Sequence, residues 1–307
     1  MMKRILVTGS NGLLGQKVVE MLAARKGCDV VATSFSDNTI IQKEGYLFEL
    51  LDVTNPVEIS YVFDKYKPDT VIHTAALTEV SRCEQMKDDA WRINVEGTGN
   101  ITREANKSGA HLVFLSSDFV FDGMGGPYQE ADQPNPLNHY GATKLEAEKL
   151  VQKHSASWTI LRTCLVYGVN FIMSRPNFLL WVKHSLENGE RIRVNNDQFR
   201  TPTFADDLAE ACIMAAEHRK QGIFHIAGDE YLKVIHFAHR IADHYKLDKE
   251  FIDPVSSSEL HETGRRPMRT GLANERAREE LGFLPKSLDR GIELVDSQAK
   301  TMGKVDD

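Results

Sequence analysis

Short apolar runs alternate with longer amphipathic stretches through the first half of the chain. Ile5, Leu6 and Val7 make Lys3–Val7 a strand. From Gly12 to Arg25, Val18, Val19, Leu22 and Ala23 share one helical face, and Gly27 stops the helix. Val30–Thr33 and Tyr46–Leu50 read as further strands. Asn55, Pro56 and Glu58 supply an N-cap, a first-turn proline and a capping carboxylate, which open a helix ending near Tyr66. Thr70–His73, Leu112–Ser116 and Trp158–Arg162 read as strands, separated by helices over Asp88–Ser108 and Tyr140–His154. This alternation predicts an α/β protein with a doubly wound parallel sheet covered on both faces.

The rhythm changes after Gly168. A loop, a helix over Asn177–Glu187 and a short strand over Arg191–Val194 come first. A helix over Ala205–His218 and a strand over Ile223–Ile226 follow. From Asp229 the chain is rich in helices and loops, with Pro254 and Pro267 as breakers. The expected organisation is a sheet domain of 1–168 plus about 203–228, and a smaller C-terminal α+β substrate-binding lobe of about 169–202 plus 229–307.

The 307 residues include 41% hydrophobic and 26% charged side chains, a globular mix that argues against wholesale disorder. The net charge of -7 disfavours general nucleic-acid or anionic-membrane binding. Cys28, Cys83, Cys164 and Cys212 are scattered without metal-ligand spacing, so neither a metal site nor a disulfide framework is expected. The short N-terminal apolar run is no signal-peptide core, and no stretch is long enough to span a membrane. A cytoplasmic location is the expectation.

Two motifs carry chemistry. Thr8-Gly9-Ser10-Asn11-Gly12-Leu13-Leu14-Gly15 joins the first strand to the first helix. Glycines let backbone N–H groups approach a pyrophosphate, and the helix N-terminus adds about half a positive charge. Tyr140-Gly141-Ala142-Thr143-Lys144 places a phenol and an ammonium one turn apart on one helix face. A lysine about 4 Å away, at an effective dielectric near 20, favours the phenolate by roughly 4 kcal/mol and draws the tyrosine towards proton transfer near neutral pH.

These motifs resemble the extended short-chain dehydrogenase/reductase superfamily, over nearly the whole chain. The resemblance implies a Rossmann-type sheet, with Ser117, Tyr140 and Lys144 as catalytic residues. Ser117 would hydrogen-bond the substrate carbonyl, Tyr140 would protonate it, and Lys144 would also hold the nicotinamide ribose. Gly9, Ser10, Asn11, Gly12, Leu13, Leu14, Gly15, Ser34, Asp52, Val53, Ala75, Ala76 and Asn94 complete the implied cofactor site. His73 stands where the family has Asn. Ser34 ends the second strand, where an acid would select NAD; its absence favours NADPH, with NADH still possible.

Ser117-Asp118-Phe119-Val120-Phe121-Asp122-Gly123 resembles the S/T-D-Y-V-F-D-G of dTDP-4-dehydrorhamnose reductases. Leu161-Arg162-Thr163, Val166-Tyr167-Gly168, Asn196-Asp197-Gln198, Pro202-Thr203, Asp207-Leu208-Ala209 and Arg265-Arg266-Pro267 extend the likeness. Dehydratases of the superfamily carry Asp-Glu after the hydroxyl residue; Phe119 in place of that Glu disfavours dehydration. The implied reaction is NADPH-dependent reduction of the 4-keto group of a 6-deoxy nucleotide sugar. Asn177, Arg200 and Arg266 are the candidate partners of the nucleotide diphosphate. Arg200 also resembles the diphosphate arginine of nucleotide-sugar epimerases. The alternatives are such an epimerase, or an NADP-binding regulatory subunit resembling that of methionine adenosyltransferase. Family members often dimerise, so a homodimer is a candidate assembly.

Overall fold

The computed structural model describes residues 3–25, 27–170, 172, 176–260 and 263–302. The chain begins β1 (Lys3–Thr8), α1 (Leu13–Ala23), β2 (Cys28–Ser34), β3 (Leu47–Leu50), α2 (Pro56–Tyr66) and β4 (Thr70–His73). It continues through α3 (Val80–Gln85), α4 (Lys87–Trp91), α5 (Thr98–Ser108), β5 (His111–Ser117), α6 (His139–His154) and β6 (Trp158–Thr163). The later elements are β7 (Val166–Tyr167), α7 (Phe178–Glu187), β8 (Ile192–Asn195), β9 (Phe199–Arg200), β10 (Thr203–Phe204), α8 (Ala205–His218) and β11 (Gly222–Ile226). β12 (Leu232–Lys233), α9 (Val234–Tyr245), β13 (Ile252–Val255), α10 (Glu275–Leu281) and α11 (Leu288–Met302) complete it.

Seven parallel strands form one sheet in the order β11-β6-β5-β4-β1-β2-β3. Side chains alternate across it. Ile5 and Val7 enter a layer with Val18 and Leu22 of α1 and Leu208 and Cys212 of α8. Leu6 enters the opposite layer, with Ile59 of α2, Ile101 of α5 and Ala147 of α6. Burial on both faces is why β1 reads as an unbroken apolar run. Each fully buried Val, Leu or Ile stabilises by roughly 1.5–3 kcal/mol. The strand order reverses between β1 and β4, and ligands bind at the carboxyl ends of strands beside such a switch.

A second core gathers Leu179 and Val182 of α7, Phe237 and Ile241 of α9, and Ile292 and Val295 of α11. Two-stranded ribbons β8/β13, β9/β12 and β7/β10 edge this lobe or join it to the sheet domain. The expected lobe of 229–307 gives one piece back: Ala277, Leu281 and Phe283 pack in the sheet layer with α8. The expected helix over Asp88–Ser108 is also interrupted. Arg92–Gly97 forms a π-helical turn between α4 and α5, and such turns often mark functional sites. Trp91, at the end of α4, is 40% exposed. Among the described residues, no helix is long and apolar enough to cross a membrane.

His225 of β11 gives the fold an acid-sensitive point. Its Nδ1 faces the Tyr128 carbonyl oxygen at 3.0 Å and donates to it, while its buried Nε2 has no partner. Burial, then the charge of Arg162, holds the imidazole down to about 3. The unfolded group protonates near pH 6.5, so this contribution to stability is present above that pH and is lost as pH falls towards 3. His225→Gln is expected to remove about 2 kcal/mol of the stability lost between pH 7 and 5. Denaturant titrations at the two pH values check this; an unchanged difference would contradict it.

Candidate active site

The glycine loop lies beside the switch between β1 and β4. Gly9 has φ 70°, and a Cβ there would meet the Ala75 amide nitrogen at 2.6 Å. The loop therefore sits directly against the chain leaving β4, and only glycine permits that approach. Gly12 is exposed at the start of α1, with no side-chain cap and no acid in the first turn. The Ser10 hydroxyl is buried without a partner. Uncapped helix N–H groups, an exposed glycine and an unpartnered hydroxyl fit an incoming diphosphate. Leu13 and Leu14 are partly exposed and Gly15 is buried behind them.

Asn11 ties the glycine loop to the segment after β2. Its Nδ2 donates to the Asp37 carbonyl at 2.8 Å and its Oδ1 accepts from the Thr39 amide at 3.1 Å. β2 ends at Ser34, as expected, and Ser34 is buried. Asp52 is exposed and accepts the Thr54 amide at 2.8 Å, while Val53 is buried against α5 and the π-turn. Ala75 and Ala76 are partly exposed past the end of β4.

His73 and Asn94 are braces. The Thr98 hydroxyl donates to the Asn94 carbonyl at 2.7 Å, so His73 Nε2 carries the proton and donates to Thr98 Oγ1 at 3.1 Å. His73 Nδ1 then accepts from Thr8 Oγ1 at 2.7 Å. Burial, then the Lys144 charge, lowers this imidazole to about 3, so it is neutral. The Asn94 amide donates to Leu77 O and Thr143 Oγ1, both at 3.0 Å, and its oxygen accepts the Leu77 amide at 2.8 Å. The structure thus uses Asn94 to tie the loop after β4 to α6.

The expected catalytic residues come together where α6 lands on the end of β5. A Cβ on Gly141 would lie 2.1 Å from the Phe119 carbonyl oxygen, so the helix start can seat on this turn only with glycine there. Asn138 caps α6 by accepting the Gly141 amide at 2.8 Å. Tyr140 packs edge-on to Phe119 at 5.8 Å, and Ser117 lies two residues before Phe119. Ser117, Tyr140 and Lys144 are all buried. Lys144 Nζ stands 4.2 Å above the ring of Phe114, also on β5.

Burial drives Lys144 down to about 7, against the raising fields of Glu148 and Cys83. The ammonium assumed from spacing alone is therefore only marginally charged near neutral pH. Glu148, one turn on, accepts Arg162 Nε at 2.9 Å, Arg162 Nη2 at 2.7 Å and Ser116 Oγ at 2.5 Å. This buried carboxylate links the lysine's helix to β5 and β6.

The expected diphosphate partners divide. Asn177 caps α7 through Leu180 N at 3.3 Å and donates to Gly168 O at 2.6 Å, so it is spent on local structure. Arg200, expected as a diphosphate partner, is 3% exposed. Its Nε lies 3.7 Å from Asp118 Oδ2, and its terminal nitrogens donate to Pro267 O at 2.8 Å and Phe199 O at 2.7 Å. Arg266 is half-buried on the strap of residues 263–272. That strap reaches α6: Asn138 Nδ2 donates to Arg265 O at 2.9 Å. Sequence reasoning missed the Glu148–Arg162 pair and the Asp118 cluster. An ionisable residue one turn past Lys144 and two more in strand-end motifs were the available signals.

Lys144→Met is expected to raise the melting temperature of the cofactor-free protein, more at pH 6 than at pH 9. The folded pKa lies below the ordinary lysine value, so the penalty is full below about pH 7 and fades as pH rises towards 10.5. An equal gain at both pH values would contradict the assigned burial cost.

A family model described as the RmlD substrate binding domain matches residues 2–299. Methionine adenosyltransferase 2 subunit beta of Bos taurus is 32% identical over 262 residues, covering 83% of this chain and 76% of that protein. The spore coat polysaccharide biosynthesis protein SpsK of Bacillus subtilis is 31% identical over 286 residues, covering 93% and 94%. The crystal structure of dTDP-4-dehydrorhamnose reductase from Bacillus anthracis in complex with NADP has a TM-score of 0.87 at 28% identity, covering 97% of this chain and all of that one. With the glycine loop, the paired Tyr140 and Lys144 and the strand-end Ser117 in one fold, the chain belongs to the RmlD substrate binding domain family, within the extended short-chain dehydrogenase/reductases.

Proposed function

We propose that this protein is an NADPH-dependent reductase acting on the 4-keto group of a 6-deoxy nucleotide sugar. The observation that carries this reading is the seating of Tyr140 and Lys144 on the Ser117 turn, beside the uncapped glycine loop. The similar reductase solved with NADP supports the cofactor and the substrate class. A bound nicotinamide cofactor would supply hydride to the carbonyl carbon. The Tyr140 phenol gives its proton to the carbonyl oxygen, so the product gains a C–H and an O–H bond. Ser117 donates a hydrogen bond to that oxygen as it becomes negative. Lys144 stabilises the phenolate left behind, with Glu148 supporting its charge. Arg266 offers a planar guanidinium to the diphosphate.

Reduction is favoured over dehydration on structural grounds as well. Asp118 is buried against Arg200, and its neighbour is Phe119, so no second acid stands at the turn. The similarity to methionine adenosyltransferase 2 subunit beta favours a second reading, an NADP-binding regulatory subunit. The intact Ser117, Tyr140 and Lys144 weigh against that.

Mixing the protein with dTDP-4-dehydrorhamnose and NADPH should consume the reduced cofactor. Tyr140→Phe should slow this at least a hundredfold with NADPH affinity within about threefold, in line with the loss of a general acid. Bound NADPH with no oxidation would move the assignment to the regulatory reading or another keto sugar. Ser34→Asp should turn preference from NADPH towards NADH by at least tenfold, through repulsion of the 2′-phosphate. An unchanged ratio of the two dissociation constants would remove Ser34 from the ribose site.

A further inference from the structure

Asp118 is 2% exposed and gathers donors from four segments of chain. Its Oδ1 accepts Ser117 Oγ at 3.0 Å. Its Oδ2 accepts Cys164 Sγ at 3.2 Å, just past β6, and the Thr270 hydroxyl on the strap. Arg200 Nε of β9 faces the same oxygen at 3.7 Å. Ser117 Oγ in turn accepts the Phe119 amide at 3.2 Å. The serine oxygen is thus held from both sides, its proton directed to Asp118 and a lone pair taken by the backbone.

Arg200 carries the other half of the arrangement. Nη2 donates to Pro267 O at 2.8 Å and Gln198 Oε1 at 3.1 Å, and Nη1 to Phe199 O at 2.7 Å and Met268 O at 3.3 Å. Two of these acceptors are strap carbonyls next to Arg266. A guanidinium buried this deeply needs a balancing anion, and Asp118 is the carboxylate beside it. One carboxylate therefore bears on both the hydroxyl at the end of β5 and the segment that presents Arg266.

We propose that Asp118, through its pairing with Arg200, is a positioning residue that fixes the Ser117 hydroxyl and clamps the 263–272 strap to the sheet domain. The first half rests on the reading of Ser117 as the substrate-facing hydroxyl; the second does not. Substrate entry needs only a turn of the hydroxyl about its C–O bond, with the oxygen already in place. Binding energy is then not spent on finding that geometry.

The test combines hydrogen exchange with a kinetic cycle on the full chain. In Asp118→Asn, amides 268–271 are expected to exchange at least tenfold faster while those of β1 and β4 are unchanged. Thr270→Val, which removes one donor and no charge, should shift them in the same direction and carries this arm if Asp118→Asn does not fold. Unchanged exchange in the folded variants overturns the clamp. Asp118→Asn should lower kcat for the keto sugar at least tenfold with the NADPH Kd within twofold. In a Ser117→Ala background it should cost less than a further twofold. A full independent loss in that background overturns positioning through Ser117. If the wild-type protein reduces no keto sugar, the enzymatic reading fails with it, and the exchange arm still decides the clamp.

Discussion

The buried pairing of Glu148 with Arg162 is the constraint on which the site depends. Both side chains are at most 2% exposed, and the guanidinium engages the carboxylate through two nitrogens. Taking two charges out of water is costly, and the fixed geometry with the added Ser116 hydroxyl offsets that cost. Losing either partner would strand a buried charge at about 3–5 kcal/mol. The pair bolts α6 to β5 and β6, so the residues one and two turns earlier, Lys144 and Tyr140, hold a fixed relation to the Ser117 turn. The same carboxylate raises the charge on a lysine that burial would otherwise neutralise. Structure and electrostatics at the site thus share one anion.

A second layer of constraint comes from backbone approach. The loop after β1 lies against the chain leaving β4, and α6 lies against the turn after β5; both contacts lack room for a Cβ. His73 fills the space between the ends of β1 and β4 and the π-turn, held by Thr8 and Thr98. Asn94 ties that turn to α6. The strand ends, the glycine loop and the start of α6 are joined by these contacts. The smaller lobe meets them at several places, among them Asp118, which takes Arg200 and the Thr270 hydroxyl of the strap, and Asn138, which holds Arg265 O.

Much of this was legible in local sequence. The Asn55, Pro56 and Glu58 signal opens α2 where expected, with Asn55 Oδ1 taking the Val57 amide at 3.1 Å. Ser34 does end β2, and α8 spans Ala205–His218 as its apolar spacing implied. Elements that depend on distant partners were not legible. β13 contains Pro254, which reads as a breaker, yet it pairs with β8 in a two-stranded ribbon where one missing N–H is tolerated. The return of α10 to the sheet layer has no local signature. For the site, the glycine loop and the tyrosine–lysine spacing are short-range patterns and read directly. Arg200 did not: arginine in a loop-rich stretch suggests solvent or phosphate. Only the fold shows Asp118, 82 positions earlier in the sequence, beside it.

The most direct measurement is the fate of deuterium from NADPH carrying the label at the transferable nicotinamide position. Product would be isolated after incubation with dTDP-4-dehydrorhamnose and read by NMR and mass spectrometry. One deuterium bonded to the sugar's C4 is the expected result, because the proposed reaction delivers the hydride to the 4-keto carbon. Bound NADPH with no label in the sugar, or label at another carbon, would contradict the convergence of cofactor and keto sugar on Ser117, Tyr140 and Lys144.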